Sequence, residues 1–156
     1  MALAGKPLAS GGKWADDAVM TATSELTDLL ATLYASFASG DPSAWTTALA
    51  PDALVIGTDQ AEWWQGKDTL VRVLTAQISE MSNAGIRVSG AEPHVVADGD
   101  FIWAADRPVL HLADGTDVPL RLTLLVRRDG TQLLMQHVHV SVGTPNEETV
   151  QQQLTV

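Results

Sequence analysis

No cysteine occurs among the 156 residues, which removes disulfides, thiolate metal sites and cysteine nucleophiles together. Positive charge is scarce. Nine Lys and Arg stand against nineteen Asp and Glu, for a formal net charge of -10. Attraction to phosphates needs a basic field, so neither nucleic acid nor an anionic membrane surface is an expected partner. No apolar run approaches the ~18 residues of a membrane-spanning helix. Lys6 and Pro7 break the opening stretch before it resembles an export signal. The expected location is the cytoplasm. The chain also lacks a Gly-rich phosphate loop and a nucleotide fingerprint, and neither a Ser-His-Asp site nor a cofactor is expected.

What remains is enough for one compact domain. Hydrophobic residues make up 46% of the chain, too many for a disordered segment, and the length suits a single domain. Residues 1–15 are small and aperiodic and read as an arm, with Trp14 as a possible pin to the domain. Residues 16–145 read as the domain and 146–156 as a tail. From about Thr23 the pattern is helical, with Leu26, Leu29, Leu30, Leu33, Tyr34 and Phe37 on one face. Gly40 stops it, and Asp41-Pro42 starts a short helix that buries Trp45 and Leu49. Ala53 to Ile56 reads as a short strand. A third helix runs from about Lys67 to Ser82 with Leu70, Val73, Leu74, Ile78 and Met81 on its apolar face.

Everything after Gly85 reads as strand. Asp-Gly pairs at 98–99, 114–115 and 129–130 are hairpin signals. They predict a meander of long antiparallel strands at about 86–97, 101–112, 118–127 and 132–142. Long strands twist and curl, so the concave side of the sheet is the place for helices. The class is α+β. Alternation then sorts the side chains. Arg121, Thr123, Leu125 and Arg127 share one face against Leu120, Leu122, Leu124 and Val126. Met135, His137, His139 and Ser141 share one face against Gln136, Val138, Val140 and Val142. Trp103 and Arg107 lie together in the strand from Phe101. Both faces are too apolar for one of them to meet only water, so one packs a core and the other a partner subunit.

Ser39-Gly40-Asp41, then Ala50-Pro51-Asp52-Ala53, a helix and a four-strand meander resemble the nuclear transport factor 2-like, or SnoaL-like, proteins. Arg127-Arg128-Asp129-Gly130 followed by His137-Val138-His139-Val140-Ser141 and Pro145 is similar to the branch containing the association domain of calcium/calmodulin-dependent protein kinase II. The chain lacks the tryptophan usual after that hairpin and carries one extra residue before the first histidine. The resemblance implies a cone-shaped α+β fold: a curved antiparallel sheet with N-terminal helices on its concave face, a deep pocket between them, and pairing of subunits through the outer sheet face. It implies that Trp103, Arg107, Arg121, Thr123, His137 and His139 point into the pocket and that the aliphatic parity meets the dimer partner. Alternation alone does not choose between the faces.

Relatives in this superfamily include ketosteroid isomerases, polyketide cyclases, scytalone dehydratases and epoxide hydrolases, and fold alone grants none of these activities. The isomerase base belongs near the end of the first strand, where this chain has Gly57. Tyr34 is one residue off the place of the isomerase's tyrosine, and Thr123 stands where it has a protonated Asp. The isomerase machinery is thus not expected. Glu62, in a loop with Trp63 and Trp64 that could roof the pocket, and His137 and His139 are the candidate catalytic groups. Tyr34, Trp63, Trp64, Trp103, Arg107, Arg121, Thr123, His137 and His139 are the candidate ligand-binding residues. His137 and His139 could present two imidazoles to a metal only if His111 or Glu62 completed the set, and no metal is expected. Two arginines at mid-strand suggest an anionic group on the ligand. The predicted function is binding of a small, apolar, anionic molecule, with acid/base isomerisation, cyclisation or dehydration as the reaction class. The alternative is a non-catalytic dimerisation or assembly module.

Overall fold

The computed structural model describes residues 13–90 and 92–156, and side chains from Asp17 onward. The readings of residues 1–12 as an arm and of Trp14 as its pin lie outside the described backbone and side chains respectively.

Helix α1 (Lys13–Ser39) starts well before Thr23, so residues 13–15 are helix and not arm. Its first part hid in the sequence because it carries no apolar stripe: Val19 and Met20 are exposed, and Ala22 is the first buried side chain among the described residues. The hydroxyls of Thr21, Thr23 and Thr27 donate to carbonyls one turn back at 2.8–2.9 Å. Ala22, Leu26, Leu30, Leu33 and Tyr34 form the buried stripe. Gly40, at φ 74, ends the helix in the left-handed conformation that favours glycine. Helix α2 (Ser43–Ala48) buries Trp45, whose indole N–H donates to Leu33 O at 3.1 Å and to Ser36 Oγ at 3.0 Å. Strand β1 (Leu49–Ile56), strand β2 (Trp63–Gln65) and helix α3 (Lys67–Asn83) follow. Helix α3 buries Leu70, Leu74 and Ile78.

The predicted strands at 86–97 and 101–112 are each two strands: β3 (Arg87–Ser89) and β4 (His94–Asp98), then β5 (Phe101–Asp106) and β6 (Val109–His111). Gly90 and Pro93 break the first pair. Pro108 breaks the second, because proline cannot donate to a ladder. Strand β7 (Asp117–Asp129) answers the break: Asp117–Pro119 pair with β6, and Leu122–Arg127 pair with β5. The sheet turns a corner there. Strand β8 (Gln132–Val142) pairs antiparallel with β7 and parallel with β1, so the sheet is not the wholly antiparallel meander expected. The main path runs β2-β1-β8-β7-β5-β4 and stays unclosed. Helix α1 packs on β3, β4 and α3, and α3 packs on β1 and β2. The tail carries one short helix, α4 (Asn146–Thr149). Among the described residues no helix is long and apolar enough to cross a membrane.

The inner face of the sheet is the aliphatic one. Leu122, Leu124, Val126 and Val138 are buried against the helices. Thr123 is registered with His139 and Leu125 with His137, and these pairs point outward. The expectation that Arg121, Thr123, His137 and His139 face the interior is therefore overturned. The physical reason is desolvation: helices with apolar stripes bury the parity that carries no charge. The register also shifts on passing from Leu125↔His137 to Val126↔Met135, which leaves Gln136 as a bulge residue. Met135 is consequently buried with Val126 and Leu49, while His137, two residues on, faces out. The strict alternation that grouped Met135 with the histidines fails at this bulge.

Candidate functional site

Between the inner sheet face and the helices lies a cavity of about 370 Å³. Val55, Leu120, Leu122, Val138 and Val140 form its sheet wall, and Tyr34, Phe37, Trp45 and Trp64 supply aromatic surface. Phe37 meets Trp45 edge-on at 5.9 Å. The polar groups are few: Tyr34, Thr58, Glu62, Gln77 and Glu80. Among the described residues no Lys, Arg or His lines this cavity, which corrects the expectation that an anion is anchored inside it by Arg107, Arg121 or the histidines. The arginines sit on the other side of the sheet.

Glu62 is the group with a built position. Its Oε1 accepts from Gln77 Nε2 at 2.9 Å, and its Oε2 accepts from the Asp59 backbone N–H at 3.0 Å. A β-carbon on Gly57 would lie 2.0 Å from Glu62 Oε2. The carboxylate therefore occupies the space that a side chain at the end of β1 would enter. The backbone fixes this return, because Gly57 N donates to Glu62 O at 2.9 Å. Alternation along β2 sends Trp64 into the cavity and leaves Trp63 outside, 65% exposed.

Tyr34 donates to Asp106 Oδ2 at 2.8 Å in a buried contact, and Asp106 Oδ1 accepts from the Arg107 backbone N–H at 2.8 Å. Burial, then the hydrogen bond to Asp106 and its charge, push the Tyr34 phenol well above its ordinary value. Asp106, Gln77 and Glu80 were missed in the sequence. Two of them had a signal. Gln77 continues the Leu70, Leu74 spacing towards Met81 on the inner face of α3, and Asp106 follows Ile102 and Ala104 on the inner face of β5.

Of the remaining candidates, Arg107, Arg121 and Thr123 do come together, but in an outer groove of about 570 Å³ that His94 and Glu92 share. Arg121 Nη2 donates to Val142 O at 3.2 Å. Trp103 is 42% exposed on the same face, edge-on to His94 at 5.9 Å. His137 and His139 stand in mid-sheet on that face, and burial followed by the neighbouring His139 holds the His137 imidazole below its ordinary value. Among the described residues no three His, Cys, Asp or Glu side chains are grouped to hold a metal.

The SnoaL-like domain model matches residues 26–145, the stretch that supplies all the cavity's lining residues. The chain belongs to the SnoaL-like family. Solved structures agree in fold. A nuclear transport factor 2-like protein of unknown function from Pseudomonas putida is 23% identical, with a TM-score of 0.71 over 86% of this chain and 94% of that one. A candidate calcium/calmodulin-dependent protein kinase II association domain from Xanthomonas campestris is 20% identical, with a TM-score of 0.62 over 76% of this chain and 86% of that one. A candidate dehydratase of the nuclear transport factor 2-like family from Streptomyces avermitilis is 14% identical, with a TM-score of 0.68 over 80% of this chain and 98% of that one. No curated protein matches.

Proposed function

We propose that this SnoaL-like domain binds a small, neutral, largely apolar molecule in the inner cavity and moves a proton on it with Glu62. The observation that carries this reading is the Glu62 carboxylate held over Gly57 by Gln77 and the Asp59 N–H. A carboxylate has about four lone-pair sites, so two hydrogen bonds position it and leave it able to accept a proton. The apolar walls favour a neutral ligand, because an anion would lose its hydration without gaining a cation. Isomerisation, cyclisation and dehydration all need such a proton transfer, and one structural relative is described as a candidate dehydratase.

The test uses 3-cyclohexen-1-one, a neutral ketone with an acidic α-carbon, in deuterated water. Wild type is expected to catalyse α-deuterium exchange, and Glu62→Gln to lose about 100-fold or more of that rate. Glu62→Gln should still bind a neutral fluorescent probe such as Nile red. Exchange that survives Glu62→Gln unchanged, or never exceeds the buffer rate, removes the catalytic reading.

A second reading is favoured by a different observation. Trp63, Val96, Phe101 and Trp103 are large apolar side chains exposed on the outer sheet face. Such a patch suits a homodimer interface, and in an assembly module this face, not the cavity, would carry the function.

A further inference from the structure

Beyond the cavity, the short ribbon of β3, β6 and the first residues of β7 carries a hydrogen-bonded chain of three side chains. His111 Nδ1 lies 2.6 Å from Asp117 Oδ1, and Ser89 Oγ lies 2.7 Å from His111 Nε2. The register explains the geometry. His111 is directly opposite Asp117 across the β6–β7 ladder. Ser89 is opposite Val109, two residues from His111 and on the same face. The inward neighbours Val88, Leu110 and Val118 line the cavity, so the three polar residues stand on the opposite, outer surface.

The bonding pattern fixes the imidazole. A carboxylate only accepts, so Nδ1 carries the hydrogen towards Asp117, and the Nε2 lone pair is left to accept the Ser89 hydroxyl. A serine hydroxyl bonded to such an imidazole, itself oriented by a carboxylate, is the arrangement of an activated nucleophile. Ser89 is exposed, so a substrate can reach it. The next residue, Gly90, begins the outer groove that contains Arg107, Arg121 and Thr123. Gly90 has φ 152, and a β-carbon there would lie 3.0 Å from the Pro108 Cα; glycine keeps the backbone beside the nucleophile close to that groove.

We propose that Ser89, His111 and Asp117 form a second, nucleophilic site that cleaves small esters whose acyl group bears a carboxylate, with Arg107 and Arg121 pairing that carboxylate. His111 Nε2 takes the Ser89 proton as Oγ bonds to the ester carbonyl carbon. The bond to the leaving alkoxide then breaks, and His111 returns the proton to it. Water, activated by the same imidazole, attacks the acyl-serine, releasing the acid and restoring Ser89. Asp117 is a positioning residue.

The test labels the full chain with a fluorophosphonate and locates the adduct by mass spectrometry. Ser89 should be modified at least 100-fold faster in the folded protein than in concentrated urea. Ser89→Ala should abolish that adduct, His111→Ala should slow labelling about 100-fold or more, and Asp117→Asn should slow it tenfold or more. Asp117→Glu should recover the rate to within a few-fold, a rescue that a merely structural role would not show. All are surface changes expected to leave the circular dichroism spectrum unaltered. Mono-4-nitrophenyl succinate should have a lower KM than 4-nitrophenyl acetate, and the double variant Arg107→Gln/Arg121→Gln should raise the succinate KM at least tenfold relative to that of the acetate. A folded-state labelling rate no higher than in urea, or one indifferent to His111→Ala, overturns the site. Equal KM values for the two esters overturn the arginine assignment. Because Glu62 takes no part, Glu62→Gln should leave labelling intact.

Discussion

Tyr34 is the single tyrosine of the chain, so its ionisation can be followed without overlap. Burial and the bond to Asp106 hold its proton far above the ordinary range. The unfolded chain releases that proton near pH 10 while the folded chain keeps it. Stability from this group is thus fully present below pH 10 and falls above it, by about 1.4 kcal/mol per pH unit. The phenolate absorbance band is expected to appear only as the protein unfolds in base. Tyr34→Phe should remove the alkaline slope and cost about 1–3 kcal/mol at neutral pH, since Asp106 loses a donor; phenolate appearing with the fold intact would contradict this account. Gly57→Ala makes the complementary test at the other side of the cavity. The new methyl group would stand within 2.0–2.8 Å of three Glu62 atoms, one of them the Glu62 Cβ, which is no flexible end. The carboxylate must leave its seat. Exchange on 3-cyclohexen-1-one should fall about as far as in Glu62→Gln, although Glu62 is still present. A glycine at the end of a strand reads in the sequence as a missing base; only the folded loop reveals that its emptiness makes room for the Glu62 carboxylate.

At the scale of elements, the helices were legible because their apolar residues recur every three or four positions, as Leu70, Leu74 and Ile78 do. The strand ends were legible from Asp-Gly turns. Two things were not. Parallel pairing of β1 with β8 joins segments far apart in the chain and leaves no local mark. The inward face of β8 depends on the bulge at Gln136, which reverses parity in the middle of an otherwise regular strand. A sequence does not say where a ladder absorbs such a residue. The register makes a pair of expectations. Deleting Gln136 keeps Val126 opposite Met135 and Leu125 opposite His137, so inward residues stay inward, and the loss should remain within the ordinary range of about 0.5–3 kcal/mol. Inserting one alanine between Val138 and His139 turns Val140 and Val142 outward and drives His139 and Ser141 into the cavity wall. Val140 is partly buried and Val142 already 41% exposed, so each forfeits less than the ~1.5–3 kcal/mol of a fully buried aliphatic, but the polar side chains driven inward add to the loss and the urea midpoint should fall. An insertion tolerated better than the deletion would show that the assigned register is wrong.

For the whole molecule, the resemblance correctly anticipated the architecture and exchanged the two faces of the sheet. The exchange changes what the outer surface is. Cross-strand register sets Leu54, His137, Leu125, Trp103 and Val96 in one row across it. Trp63, Ile56, His139, Thr123, Ala105 and His94 make the row beside it. Apolar side chains predominate, with His137 in one row and His139, Thr123 and His94 in the other, and a protein of net charge -10 keeps carboxylates out of both rows. A second copy would bring like rows together with little charge repulsion, whereas the acidic remainder of the surface repels other contacts. Tryptophan near the centre of such a patch is a common energetic anchor. Trp103→Asp should therefore weaken the proposed dimer by about 2 kcal/mol or more, roughly 30-fold in Kd, as read by sedimentation equilibrium. The thermal midpoint should rise with protein concentration for wild type and lose that dependence in the variant. Mild acid should act in the same direction. The His137 value is lowered by burial and by His139, so below the unfolded value near pH 6.5 the unfolded chain binds the extra proton first and stability declines. The ribbon bearing Ser89 and His111 pairs with β7 only at Asp117–Pro119, and neither row includes a residue of it, although His94, Ala105 and Thr123 of the second row line the groove that Gly90 enters. Fluorophosphonate labelling should accordingly proceed equally in wild type and in Trp103→Asp, and a labelling rate that tracks the dimer fraction would mean that the interface extends over the ribbon.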